Sequence, residues 1–549
     1  DILHILVPHG NRVILDGGAG ELEEQLDVLA VMETPLPEFL PTVDPATLEE
    51  IPPVPRPDGL QFDNGYGGFS DGEYIIYLPP GVRTPLPWIN VVANEEFGFI
   101  VSESGGGYTW AVNSGENRLT AWRNDPVTDM PSEVLYLRDE ETAEVWTPTP
   151  QPAPARAPYL VHHGAGYTCF EHHSHGLEQE LRLFVAPDAP VKIVELRLTN
   201  RRSRVRRLTA TFYAEPVLGT DRVISAQYIT PRYEPELHAL LLRNPYSVEF
   251  TGRVAFVATS AEPHGLTADR AEFLGRYGSL RHPAALGRIG LEDRVTPGRD
   301  VCAAMQMHVD LEPGESKTIY FLIGQGADAD HSEQLLRRFL EPDAVSAAWQ
   351  ATRQLWDEIL GAVQVETPDP AMDLLLNRWL LYQSLACRLW GRSALYQSSG
   401  AYGFRDQLQD VMALLHSRPD LAREHIIRAA AHQFEEGDVL HWWHPPSGRG
   451  VRTRISDDLL WLPFVTAHYV AVTGDTSVLD EEAPFLEAKP LEPGEEDRYR
   501  EYPRTAQSYS IFEHCRRALR RGSTTGRHGL PLMGGGDWND GMNRVGIDG

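Results

Sequence analysis

The run Gly534-Gly535-Gly536-Asp537-Trp538-Asn539-Asp540-Gly541-Met542-Asn543 sets two carboxylates and an indole between glycines. Glycine lets a backbone turn tightly and approach a ligand closely. An indole beside an acid suits a sugar site, with an apolar face for the ring and a proton donor for the glycosidic oxygen. Asp537 and Asp540 could act as a pair, or one could react while the other orients. Asp537 equally reads as a side chain capping its own turn. Asp540, between Asn539 and Gly541, is the stronger candidate for chemistry, and it stands nine residues before the last residue, Gly549.

Two further segments could carry chemistry. In Gly403-Phe404-Arg405-Asp406-Gln407-Leu408-Gln409-Asp410, Arg405 and Asp410 offer fixed donors and acceptors to sugar hydroxyls, while Asp406 reads as a helix cap paired with Arg405. In His441-Trp442-Trp443-His444-Pro445-Pro446, the tryptophans form either a stacking platform for pyranose rings, with Trp443 a contact, or buried core aromatics. Arg454 and Asp457 follow as candidate substrate contacts, with Ser456 as N-cap of a helix over 457–472 and Asp457 and Asp458 at its dipole-positive end. His162, His163, His172, His173 and His175 would bind a metal only by converging, and no carboxylate pattern of a metal motif accompanies them. No metal and no cofactor is expected, and there is no P-loop, dinucleotide fingerprint or GxSxG elbow.

The elements that must position these groups change character along the chain. Residues 1–56 read as an N-terminal segment and Pro/Glu-rich linker. From 57 to 327 short apolar runs stop at Gly, Pro or Asn, as at Glu73–Leu78 before Pro79-Pro80, and Val191–Leu198 alternates with period two. Many such strands with few helices between them predict an antiparallel sandwich. Residues 328–366 read as a helical linker, and 367–549 as helices of 3.6 periodicity joined by loops rich in Gly, Trp, Arg, Asp and His. Asp369-Pro370 opens the first of these, as N-cap and first-turn proline, before an apolar face of Met372, Leu375, Leu376, Trp379 and Tyr382. About six helices make half of an (α/α)6 barrel, with a site at one rim.

Composition narrows the partners. A net charge of −29 argues against nucleic acid and anionic membrane surfaces. Cys169, Cys302, Cys387 and Cys515 match no metal or disulfide spacing, which suits free thiols in a reducing compartment. Neither a membrane span nor a signal peptide is evident.

These motifs, with Phe62-Asp63-Asn64-Gly65-Tyr66-Gly67-Gly68-Phe69, Pro87–Asn94, Tyr108–Ser114 and Glu116-Asn117-Arg118, make the chain resemble the family 94 glycoside phosphorylases. Within the family it is most similar to the C-terminal domain of cyclic β-1,2-glucan synthases and to 1,2-β-oligoglucan phosphorylases. The resemblance covers roughly 57–549. It implies an N-terminal β-supersandwich, a helical linker and an (α/α)6 barrel, only about half of which is present, in a homodimer. It also implies a cytoplasmic setting, and a longer native chain that could be a membrane-associated glucan synthase. It places the general acid at Asp540 and ring contacts at Arg405, Asp410 and Trp538. The implied reaction is phosphate attack on a terminal β-glucosyl residue, giving α-glucose 1-phosphate, with inorganic phosphate as co-substrate. An inverting hydrolase with Asp537 or Asp457 as base, and a non-catalytic glucan-binding module that controls chain length in a synthase, are the alternatives.

Overall fold

Alternating apolar sequence becomes three antiparallel sheets. A computed structural model describes residues 36–44 and 50–531, together with the backbone of a two-stranded ribbon, Ile2–Leu6 with Arg12–Asp16. The largest sheet has ten strands; its middle is formed by Ser316–Gly326, Val191–Asn200, Leu177–Val185 and Tyr167–Ser174, all paired antiparallel. Two five-stranded sheets complete the layer set, one centred on Arg206–Ala214 and the other on Gly107–Ala111.

The strand Val191–Asn200 shows why its alternation is incomplete. Val194, Leu196 and Leu198 point into the core shared with Phe99, Phe212 and Met305. Val191 and Ile193, on the opposite face, are also buried, against Leu335, Leu336, Phe339, Val345 and Ala348. Those five residues belong to the helices Ala329–Phe339 and Pro342–Gly361, which cover that part of the sheet. Farther along, the uncovered face turns polar, with Glu195 half-buried and Arg197 exposed. Buried ion pairs lie inside the sandwich: Arg206 Nη2 meets Asp139 Oδ2 at 2.6 Å, and Lys192 Nζ meets Glu133 Oε2 at 2.6 Å, where Glu133 Oε1 also accepts from the hydroxyls of Thr109 and Thr120, each at 2.6 Å.

The chain divides into two compact units, Asp1–Trp356 with Ser393–Ser398, and Asp357–Arg392 with Ser399–Gly549. In the second, residues 370–391 form one continuous helical stretch with two π-helical segments, Leu375–Trp379 and Ser384–Gly391. Asp369 caps it through the Ala371 amide, with Pro370 in the first turn, as its sequence predicts. Of its expected apolar face, Tyr382 is buried, but Met372, Leu375 and Leu376 are 41–49% exposed, because among the described residues nothing covers them. The helices Phe404–Val411, Pro419–Ala430, Asp458–Thr473 and Ile511–Gly522 follow. They are interleaved with a small sheet ordered Tyr402–Gly403, Leu440–His444, Arg449–Thr453, Asp497–Arg500. Gly450 lets this sheet close up, since a Cβ there would lie 2.4 Å from the Trp442 carbonyl oxygen.

Candidate functional site

The second unit gathers charge where two helices begin. Tyr402 and Gly403 pair with Trp443 and Trp442, and this edge strand runs straight into the helix Phe404–Val411. Gly403 has no side chain to cap with. The Gln407 side chain takes over, accepting from the Gly403 amide at 2.5 Å and donating to the Arg388 carbonyl at 3.2 Å. Asp406 and Asp410, one turn apart, share a helix face. Both meet Arg388, whose Nε donates to Asp410 at 2.9 Å and whose Nη2 lies 3.6 Å from Asp406. Arg388 sits in the second π-helical segment, a distortion frequent at functional sites.

Arg405 links this group to the next helix. Its Nη2 is 3.3 Å from Asp406 and its Nη1 is 3.6 Å from Asp457. Asp457 is the residue before the helix Asp458–Thr473, and its side chain caps nothing. The helix expected over 457–472 with Ser456 as N-cap starts one residue later, so that Asp457 takes the N-cap position, with its side chain turned towards Arg405. Asp458, 2% exposed at its side chain, accepts from His441 Nδ1 at 2.8 Å. Arg388, Asp406, Arg405 and Asp457 thus form an alternating-charge chain beside an Asp458–His441 pair.

Burial shapes the acids. It pushes Asp410 up to about 6, against the pull of Arg388 and with a further push from Asp406. Burial also raises Asp458, against His441 and Arg405 and with Asp457 adding to the rise. Desolvated carboxylates hold hydrogen-bond donors strongly, because water competes less.

The two tryptophans divide. Trp443 is 2% exposed. It stacks on His432 at 3.9 Å and on Tyr402 at 5.6 Å, with Phe404 edge-on. With its faces taken, it follows the second of its two sequence readings, a buried core aromatic. Trp442 points the other way along the strand and is only half-buried, tilted against Tyr499 at 5.2 Å. Arg454 is also given other work. Its guanidinium donates to the main-chain oxygens of Leu491, Glu492 and Glu495 and ties down that turn, so it is not gathered with Arg405. Asp537, Trp538 and Asp540 lie outside the described residues.

Sequence reading missed Arg388, His441 and Asp458 as members of this cluster. His441 stood inside a segment read for its tryptophans, and Asp458 was read as a helix-dipole acid. Only the i, i+4 spacing of Asp406 and Asp410 hinted that a cation faces them.

The sandwich histidines are separately engaged. His163 bonds Thr168 and the Trp88 carbonyl, His172 stacks on Tyr159, and His175 stacks on Trp146. Despite burial, Glu171 and Glu73 hold His162 up at about 9. Among the described residues no three His, Cys, Asp or Glu side chains converge on a metal position.

Residues 72–342 match the model of the glycosyl hydrolase 94 supersandwich domain, and residues 355–548 that of the glycosyl hydrolase 94 superfamily catalytic domain. The cyclic beta-(1,2)-glucan synthase NdvB of Rhizobium meliloti (strain 1021) is 43% identical over 492 residues, 89% of this chain and 17% of that protein. The N,N'-diacetylchitobiose phosphorylase of Vibrio proteolyticus is 26% identical over 517 residues, 87% of this chain and 61% of that one. The solabiose phosphorylase of Paenibacillus borealis is 27% identical over 502 residues, 88% and 60% respectively. The chain thus spans about three-fifths of each of these phosphorylases and under a fifth of the synthase. With a sheet-rich supersandwich followed by a helical domain, and with both domain models matched in that order, this chain belongs to the glycosyl hydrolase 94 family.

Proposed function

We propose that the chain carries out inverting phosphorolysis of a β-glucan, most simply a β-1,2-linked glucooligosaccharide, releasing α-glucose 1-phosphate and a shortened glucan. One observation carries the reading: the same stretch of chain that aligns with a cyclic β-1,2-glucan synthase at 43% identity also aligns with named phosphorylases over 87–88% of its length. In this reading Asp540 protonates the departing glycosidic oxygen while phosphate attacks the anomeric carbon from the opposite face. Phosphate is already an anion, so no general base is required. Inverting hydrolysis would need a second carboxylate roughly 6.5–9.5 Å from the acid to activate water. Asp457, one candidate for that base, stands beside the Arg405 guanidinium, which suits a positioning acid better. Arg405, Asp410 and Trp538 hold the glucosyl ring, and Asp537 supports the Asp540 loop. Inorganic phosphate is the only co-substrate, with no metal or organic cofactor, and the working form is a cytoplasmic homodimer or part of a longer synthase chain.

The test is sugar release from β-1,2-glucooligosaccharides with and without phosphate. Phosphate-dependent release with glucose 1-phosphate as product is expected. Equal release without phosphate, and no glucose 1-phosphate, sinks the phosphorylase reading in favour of a hydrolase. Full turnover by Asp540→Asn sinks the assignment of the acid.

A further inference from the structure

The loop that delivers Arg405 starts from a buried arginine. Arg392 is 5% exposed and holds a left-handed φ of 47°. That conformation is costly for a residue with a Cβ and persists where the surroundings over-determine it. Its Nε donates to the Gly400 carbonyl at 3.0 Å, and its Nη1 to the carbonyls of Leu389 at 2.8 Å and Trp390 at 3.1 Å. The Gly400 amide donates back to the Arg392 carbonyl at 2.9 Å. One guanidinium thus joins the chain entering this turn to the chain leaving it.

The same Nη1 donates to the Tyr402 hydroxyl at 3.0 Å, and Arg428, from the helix Pro419–Ala430, donates to that oxygen at 3.2 Å. Both guanidinium carbons also stand over the Tyr402 ring, at 4.2 and 5.1 Å, within cation–π range. Two like charges converging on one oxygen repel. An apolar pillar at this point would pack without that cost. The arrangement gives something packing alone does not: a fixed depth and rotation for Tyr402, whose backbone pairs with Trp443. Gly403, the cap of the next helix, comes one residue later, and Arg405 three residues later.

We propose that Tyr402, gripped by Arg392 and Arg428, is a positioning residue for Arg405, setting the guanidinium against Asp457 and so setting the affinity for the sugar ring. This rests on the reading of Arg405 as a sugar contact. Tyr402→Phe keeps the ring, its stacking on Trp443 and the strand pairing, and removes only the shared oxygen.

In the full-length protein, phosphorolysis is measured at varied oligosaccharide and at varied phosphate, alongside Tm. A displaced positioning group costs up to about 10²-fold, so kcat/KM for oligosaccharide should fall about tenfold or more, with KM for phosphate within about twofold of the parent. Arg405→Ala should show a loss of the same kind, and the double variant should lose no more than Arg405→Ala alone. Arg428→Gln approaches the same oxygen from the other side and supplies the readout if Tyr402→Phe folds poorly. Additive losses, or a lowered Tm with unchanged sugar kinetics, overturn the proposal. An Arg405→Ala protein with parental sugar kinetics overturns the reading of Arg405 itself, and the proposal with it, so the two failures are told apart by the single variant.

Discussion

Asp410→Asn should change how stability depends on pH more than it changes stability at any one pH. Burial lifts the Asp410 pKa from 3.8 to about 6, although Arg388 donates to the carboxylate at 2.9 Å. A carboxylate with a raised native pKa is protonated more readily folded than unfolded. Below about pH 4 both states hold the proton and the group contributes nothing to the pH dependence. Above about pH 6 both are ionised, and the folded state bears the whole penalty. The contribution of Asp410 to stability therefore falls as pH rises from about 4 to 6. A shift of roughly two units at about 1.36 kcal/mol each puts the ceiling near 3 kcal/mol, the residue being only partly desolvated. Asparagine is neutral throughout and lacks this slope. Arg388 is 49% exposed at its side chain, so losing its charged partner leaves it solvated and not stranded. Relative to the parent, the variant should gain stability between pH 4 and 7, and at roughly 2–4 °C per kcal/mol the difference is readable by thermal melts at a series of pH values. Parallel profiles for parent and variant would refute the claim that burial outweighs Arg388 at this carboxylate.

Three other perturbations follow from particular contacts. Lys192→Met strands the buried Glu133 carboxylate and should cost about 3–5 kcal/mol in urea unfolding, much of it recovered in Lys192→Met/Glu133→Gln; an unrecovered double variant contradicts the electrostatic account. Trp443→Ala should destabilise by about 3–5 kcal/mol as a cavity in a packed stack, whereas Trp442→Ala should cost far less stability, as melts of the two variants would show. His425 is 2% exposed and neither ring nitrogen has a hydrogen-bond partner, so His425→Phe should leave Tm unchanged or raise it; a large fall in Tm would reveal a partner for the imidazole.

The sandwich was legible because its determinants are local. Period-two runs ended by glycine and proline announce strands wherever they pair, and Asp369-Pro370 announces a helix start because both signals act within one turn. The burial of both faces at Val191 and Ile193 was hidden, since the covering residues lie more than a hundred positions later in the chain. The site was legible only as residue types. Arg405 and Asp410 stand out for their chemistry, but their partners are set by tertiary placement. Arg388 reaches Asp410 across 22 positions, from a π-helical segment whose phase no 3.6-residue pattern predicts. Which of two adjacent tryptophans turns inward is a matter of strand phase, fixed here by His432 and Tyr402.

The miscast cap at Ser456 has the same physical origin, and it says something about the site. A serine ahead of two acids is a strong local N-cap signal, worth about 1 kcal/mol. The structure puts Asp457 at the N-cap position instead, where its side chain turns to Arg405 at 3.6 Å, while Asp458 turns to His441 at 2.8 Å. Local preference loses where a non-local partner carries charge, and both displaced acids end up in one cluster. Asp458 is moreover left with a buried Oδ1 that accepts no hydrogen bond. An N-cap acid whose side chain forgoes capping, followed by an acid with an unsatisfied buried oxygen, is a poor solution for helix stability alone. It is a coherent one for holding Arg405 and His441 in fixed orientation.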